Sequence, residues 1–257
     1  MKKLFKPFEK LPSNQVTLIY VGWTALLLLF WIITASIGDK HLFPTPAQVL
    51  KGLEGLYNEG LVVHIASSLW LCIRAIFISI IISLVVSYIS PIPLLQFFAK
   101  TLSKLRYLPL TGITFYLAIL IESGRTMQIW VLVVFMSTYL TTSLLGMINS
   151  IPQEEFDHAR TLQCNRWEVL WEVLIKGRMD YVIEIIRQNL AIVWMMLVTV
   201  ESIMVASGGL GFLIKNSDKF MNHGRIVALQ IIILALGLGI DFVLEKSRKI
   251  FFRYSKI

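Results

Sequence analysis

Long apolar runs broken by short polar segments set the rhythm of this chain. A helix needs about 20 largely apolar residues to cross the hydrocarbon of a bilayer. Residues 16–37, VTLIYVGWTALLLLFWIITASI, form the cleanest such run, with Trp23 and Trp31 as candidate interfacial anchors. Further runs near 65–90, 107–122, 128–149, 182–205 and 226–245 predict six spans in all. The third is the weakest, because Pro109 and Gly112 interrupt it. Backbone in lipid must satisfy its own hydrogen bonds, so the pattern predicts an all-α fold, a polytopic membrane helical bundle and not a barrel.

The connecting segments carry their own signals. In residues 38–60, Pro44 and Pro46 fix an extended lead-in and Thr45 can cap a helix. Val49, Leu50, Leu53 and Leu56 then recur at helical spacing, predicting a short amphipathic helix too polar to cross. Pro91 and Pro93 end the second span, and ESGRTMQ joins the third to the fourth. Residues 150–180 are too long and too charged for a simple turn. Phe156, Ala159 and Leu162 share one helical face, the phase breaks, and Trp167, Leu170, Trp171 and Leu174 share a second. Ser150 with Gln153, and Asn165 with Glu168, resemble capping boxes. The segment therefore reads as helix, turn at 163–165, helix. Two roles fit it: an interfacial helix resting its Trp residues among headgroups, or a docking surface for a cytoplasmic partner.

Composition agrees with the pattern. The chain is 56% hydrophobic and 16% charged over 257 residues, which is not the balance of a soluble domain. Its net charge of +8 does not point to nucleic acid, because the cations are unevenly placed. With a cytoplasmic N-terminus, the segments near 91–106, 150–180 and beyond 245 also fall inside. Together with Lys2, Lys3, Lys6 and Lys10 they hold most of the Lys and Arg. Both termini are thus expected in the cytoplasm, with the tail EKSRKIFFRYSKI as a membrane-surface anchor. Cys72 and Cys164 are not expected to pair, and neither they nor the scattered His64, His158 and His223 suggest a metal or catalytic constellation. The first apolar run is too long for a cleavable signal and is expected to stay in the membrane.

The stretch DHARTLQCNRWEVLWEVLIKGRMDYVIEIIR resembles the cytoplasmic loop of type I ABC importer permeases. That loop opens Glu-Ala-Ala, has a Gly four residues after the second Ala, and closes on Leu-Pro. ARTL (159–162) and NRW (165–167) resemble the subgroup that imports nitrate, sulfonates, taurine and similar small solutes. LFPTPAQVL (42–50), VTVESIMVASGGLGFLI (198–214) and LGLGIDFVLEKSRKIFFR (236–253) resemble further segments of it, in the same order. The resemblance implies the type I ABC importer permease fold in the cell membrane of a prokaryote. Residues 1–60 would hold the N-terminal segment, first span and outer helix, 61–246 the permease domain, and 247–257 the basic tail. It also implies two cytoplasmic ABC ATPase subunits, an extracytoplasmic solute-binding protein and a second permease copy. This chain has no Walker motif, so it is expected to bind no cofactor itself, ATP and Mg belonging to the ATPase.

The same resemblance makes residues near 153–163 a coupling helix. Glu155, Asp157, His158, Ala159, Leu162, Gln163, Cys164 and Arg166 become the candidate contacts with the ATPase. Three departures stand out. Gln163 replaces the Gly, so a left-handed turn has to fall on it or on Asn165. Ile175–Lys176 replaces Leu-Pro, leaving the second helix free to run on, and His158 is bulkier than Ala. Glu201, ionisable within a span, either supports a gate or touches solute. Ser207, Gly208 and Gly209 belong to a Gly-rich turn and not to a phosphate loop, and they are further gate or pathway candidates. Arg74 either lines the pathway or snorkels outward. Glu122 and Asp241 are expected to be solvated near span ends, and Arg187 to pair near the inner surface. A stand-alone secondary transporter, a membrane scaffold and a membrane enzyme are the rival classes. None of them accounts for the lever between spans. The solute itself is not legible.

Overall fold

A computed structural model describes residues 12–37, 43–121, 124–204 and 208–251. Among them lie eleven α-helices, one 3₁₀ turn, one π segment and no strand. Five of the helices are long and apolar enough to cross a membrane: α1 (Ser13–Ile37), α3 (Leu61–Ile89), α6 (Gly124–Asn149), α9 (Met179–Ile203) and α11 (His223–Phe251). The shorter ones are α2 (Pro46–Asn58), α4 (Pro93–Lys104), α5 (Leu110–Leu120), α7 (Gln153–Thr161), α8 (Arg166–Val169) and α10 (Leu210–Lys219).

Small side chains build the central seam. Ser68, Cys72, Ala75, Ser79 and Ser83 are buried along one side of α3, where α6 approaches closely. Ser79 Oγ lies 3.4 Å from Val133 O, and Ser83 Oγ lies 3.1 Å from Ser137 O. Near the start of both helices, Arg125 Nη2 donates to Ser67 O at 2.6 Å. Residue numbers rise together, so α3 and α6 are parallel. The chain must therefore travel the whole length of the bundle between them.

That return path corrects the third expected span. Residues 107–122 do not form a full crossing helix. Pro109 lacks the N–H to continue the 3₁₀ turn Leu105–Tyr107 and instead stands as the N-cap of α5. The eleven residues of α5 rise about 16 Å, half of a hydrocarbon core about 30 Å thick. Residues 91–106, expected only as a connecting segment, contain the helix α4. Leu108 and Pro109 are extended and lead the chain from the 3₁₀ turn into α5.

The other long helices alternate. Asn189 Nδ2 donates to Ser143 Oγ at 3.2 Å, and Glu201 of α9 reaches Ser68, so α9 runs antiparallel to α6. Trp194 Nε1 donates to Ile233 O at 2.9 Å and Arg187 pairs with Asp241 at 2.8 Å, so α11 runs back again. Leu71, Leu132, Leu140, Leu197, Leu210 and Leu229 close the core. α1 stands at the edge with nearly all its side chains exposed, touching the bundle through Trp31 and Ala35.

The expected cap on α2 forms. Thr45 Oγ1 accepts from Gln48 N at 3.4 Å and Thr45 N donates to Gln48 Oε1 at 2.8 Å. The predicted apolar face divides: Val49 and Leu56 are buried, whereas Leu50 and Leu53 stay exposed. α2 rests on the start of α11 so closely that a Cβ on Gly224 would meet Gln48 O at 2.8 Å. α2 and the start of α11 thus mark one end of the bundle, and α7 and α8 the other.

The register makes a simple prediction. With Cys164 replaced by Ser, a cysteine at Asn58 and one at Glu154 should react with an impermeant thiol reagent from opposite faces of the membrane. Labelling of both from one face would break the parallel α3–α6 seam.

Candidate functional site

Two features gather the candidate residues, one at each end. At the α7 end, the expected Ser150–Gln153 box does not form: Ser150 Oγ turns back to Met147 O at 2.7 Å. Pro152 is the N-cap instead, its fixed φ of −60° leading into the helix, with Glu154 and Glu155 in the first turn where the helix dipole favours them. α7 ends in a Schellman turn. Gln163 N donates to Arg160 O at 2.9 Å and Cys164 N to Ala159 O at 3.3 Å. The left-handed position falls on Gln163, at φ 58°, and not on Asn165.

Asn165 instead caps α8, as expected. Its Oδ1 accepts from Trp167 N and Glu168 N at 3.0 Å, and Glu168 Oε2 accepts from Asn165 N at 2.7 Å. Beyond Val169 the helix widens into a π segment, Leu170–Lys176, closed by Gly177 N donating to Glu172 O at 3.0 Å. The single face expected for Trp167, Leu170, Trp171 and Leu174 is therefore lost. Trp167 and Trp171 are exposed while Leu174 is buried. The expectation that the second helix runs on past Ile175–Lys176 is not met: it stops at Lys176, and Gly177 and Arg178 form a turn before α9.

Arg178 fastens this unit to the base of α9. It pairs with Glu155 and lays its guanidinium 5.4 Å from the Tyr181 ring centroid. Asp157, His158, Leu162, Gln163 and Arg166 are exposed, and Cys164 is half-buried. Ala159 is 7% exposed. It is buried at the floor of the groove that His158 and Leu162 also line. Grooves of about 630 and 700 Å³ flank the helix. The first is edged by Glu154, Glu155 and Glu172, the second by Arg160, Arg166 and Trp167.

At the α2 end, Glu201 has no exposed surface. Ser68 Oγ donates to its carboxylate, 2.8 Å from either oxygen, and Gly211 N donates at 3.0 Å. Leu210 N donates to Ser68 Oγ at 2.9 Å, and Arg125 Nη1 stands 3.8 Å from Glu201 Oε1. Gly209 N donates to His64 Nδ1 at 3.0 Å. The fit explains two glycines. A Cβ on Gly209, already at φ 114°, would meet Glu201 Oε1 at 2.2 Å, and one on Gly211 would meet Val198 O at 2.2 Å. Gly208, at φ 79°, lies beside His64, and Ser207 falls outside the described residues.

Sequence reasoning misses Arg125, Ser68, His64 and Gln128, whose Nε2 donates to Met204 O at 2.7 Å. The signal was one lone acid in a span, which calls for a cation near another span end. Arg74 is not part of this node. It is exposed on α3 with its guanidinium 4.6 Å over the Trp70 ring. Arg187 pairs with Glu184 at 2.7 Å and with Asp241, which is half-exposed. Glu122 lies outside the described residues.

A family described as "Binding-protein-dependent transport system inner membrane component" matches residues 15–249. The chain is 28% identical over 249 residues to the taurine transport system permease protein TauC of Escherichia coli (strain K12), covering 89% of this chain and 87% of that protein. Among solved structures, it resembles one described as the crystal structure of an amino acid ABC transporter with histidines. That likeness has a TM-score of 0.62 at 16% identity, over 77% of this chain and 95% of the other, and speaks for the fold.

The node predicts a specific non-additivity. Gly209→Ala should lower the apparent melting temperature in detergent, reflecting an overpacking cost of about 1–3 kcal/mol. Glu201→Ala should also destabilise, because it strands the Gly211 N–H and the Ser68 hydroxyl. In the double variant the Gly209→Ala cost should shrink, since the clashing carboxylate is gone. Strict additivity in a thermal-shift cycle would contradict the geometry.

Proposed function

This chain belongs to the family of binding-protein-dependent transport system inner membrane components, and from that premise we propose how its two ends divide the work. It is the membrane-spanning permease component of an ABC importer. α7, with its Gln163 turn, is the surface through which separate cytoplasmic ATPase subunits drive it, and ATP and Mg are bound there and not here. The observation that carries this reading is the fastening of α7. A nine-residue helix with exposed Asp157 and His158, and an exposed Leu162 at its C-cap, is closed by a Schellman turn and tied through Glu155 to Arg178, at the root of α9.

A displacement of α7 then acts on α9 as a lever. α9 is one unbroken helix of 25 residues, carrying Glu201 near its far end. There the carboxylate accepts from the Gly211 amide in the first turn of α10. Complete enclosure of Glu201 favours gate support over direct solute contact. The α2 end faces the solute-binding protein, both termini are cytoplasmic, and a second copy of the chain completes the pathway in a prokaryotic inner membrane. The solute is a small organic sulfonate, in keeping with the likeness to a taurine permease.

In proteoliposomes with the ATPase and loaded binding protein, Asp157→Arg and Leu162→Asp should each lower stimulated hydrolysis and uptake by tenfold or more. That follows if each residue contributes about 2 kcal/mol as a dominant contact. Membrane insertion should be unchanged, because both side chains are exposed. Ala159→Glu should instead reduce the yield of folded permease. Normal uptake by the two surface variants would leave α7 as an interfacial helix only. Uptake of labelled taurine tests the solute class, and its failure alongside uptake of a different solute would remove the sulfonate assignment.

A further inference from the structure

The start of α10 is held by side chains that belong to other helices. The first N–H groups of a helix have no partner within it and need acceptors from elsewhere. Here three successive amides find them. Gly209 N donates to His64 Nδ1 at 3.0 Å, Leu210 N to Ser68 Oγ at 2.9 Å and Gly211 N to Glu201 Oε2 at 3.0 Å. His64 and Ser68 stand about one turn apart on α3. Ser68 and Glu201 have no exposed surface, whereas His64 is half-buried in the first turn of α3.

The imidazole is closely fitted. Phe212 stacks on it, with ring centroids 5.9 Å apart and planes 13° off parallel. A Cβ on Gly208 would stand 3.2 Å from both Cε1 and Nδ1. An N–H can donate only to a ring nitrogen that carries no hydrogen, so the bond to Gly209 requires the neutral ring with its hydrogen on Nε2. A proton on Nδ1 would set donor against donor. Among the described residues, Glu201 of α9 and Arg125 of α6 bring the charges of the node, 3.8 Å apart, and their fields on the ring oppose each other. Farther out, Glu59 is engaged by Arg225 of α11 and Lys215 of α10 by Asp218, while Lys51 and Glu54 of α2 are exposed.

We infer that His64 is a positioning residue for the Gly-rich turn: its neutral imidazole holds the Gly209 amide, and protonation at Nδ1 releases it. Serine does not titrate and Glu201 is enclosed, so His64 is the member of the trio through which acid at the α2 end reaches the turn. Histidine changes charge between about pH 5 and pH 8, so the bond is present at the alkaline end of that range and lost as the pH falls. Gly208 and Gly209, at φ 79° and 114°, have no side chains of their own to keep the turn in place once it is gone. A consequence for transport rests on the reading of the Glu201 node as support for a gate. The bond and its loss do not.

The test uses the full chain in lipid nanodiscs, with both faces open to buffer. Hydrogen–deuterium exchange is read at residue level and corrected for the intrinsic pH dependence of amide exchange. Between about pH 8 and about pH 5.5, exchange at Gly209 in the wild type should quicken tenfold or more. His64→Asn, whose Oδ1 can take the place of Nδ1 and does not titrate, should keep Gly209 protected at both. His64→Leu should leave it unprotected at both. A wild-type rate that ignores pH, or a pH response that persists in His64→Asn, overturns the inference, and neither outcome depends on His64→Leu folding. In proteoliposomes with the ATPase and loaded binding protein, uptake per ATP hydrolysed should fall several-fold over the same range in the wild type and not in His64→Asn. An exchange response without that fall leaves the His64 bond standing and removes the gate role of the Glu201 node.

Discussion

Hydrocarbon offers no water to a carboxylate, so one enclosed within a helical bundle has to be satisfied by the protein itself. Glu201 is satisfied by a hydroxyl from α3, an amide from the start of α10 and the nearby charge of Arg125 on α6. Each donor belongs to a different helix, and together they fix where α10 begins. Gly209 and Gly211 are small because the carboxylate and the α9 backbone occupy the space a side chain would need. The position of α10 in turn sets the turn into α11, on which α2 rests through Gly52 and Gly224. Removing the carboxylate would loosen a whole end of the molecule, not one contact.

The opposite end is organised by backbone geometry more than by buried charge. A left-handed Gln163 closes α7, a well-formed Asn165 cap opens α8, and a π segment leads into α9. Holding a non-glycine residue at positive φ has a cost, and here the two Schellman hydrogen bonds offset it. The result is a compact, outward-facing helix, tied through Glu155 and Arg178 to the helix that reaches the Glu201 node.

Much of this is legible in the sequence, for identifiable reasons. Asn165 and Glu168 announce their cap because the capping box is local, needing only residues three apart. Five of the six spans follow from apolar length. The third fails because hydropathy sums apolar character and does not register that Pro109 denies the backbone an N–H. α4 escapes notice for a related reason: Gln96, Lys100 and Lys104 interrupt its apolar residues, so no run is long enough to signal a span. The faces within 153–176 are only half legible. Ala159 matches a family position but points inward, and the π segment breaks the α-helical spacing that groups Trp171 with Leu174. Arg125 sits in a polar connector, and only the folded register of α3 against α6 brings it to Glu201.

The central claim is that α7 is the contact through which a separate motor acts on this permease. The most direct measurement places a photo-activatable residue at Leu162, exposed at the C-cap of α7, and irradiates membranes that contain the whole transport system. A crosslink to the ATPase subunit is expected, with a yield that changes when ATP hydrolysis is trapped. Crosslinks confined to lipid, or to the permease itself, would contradict it.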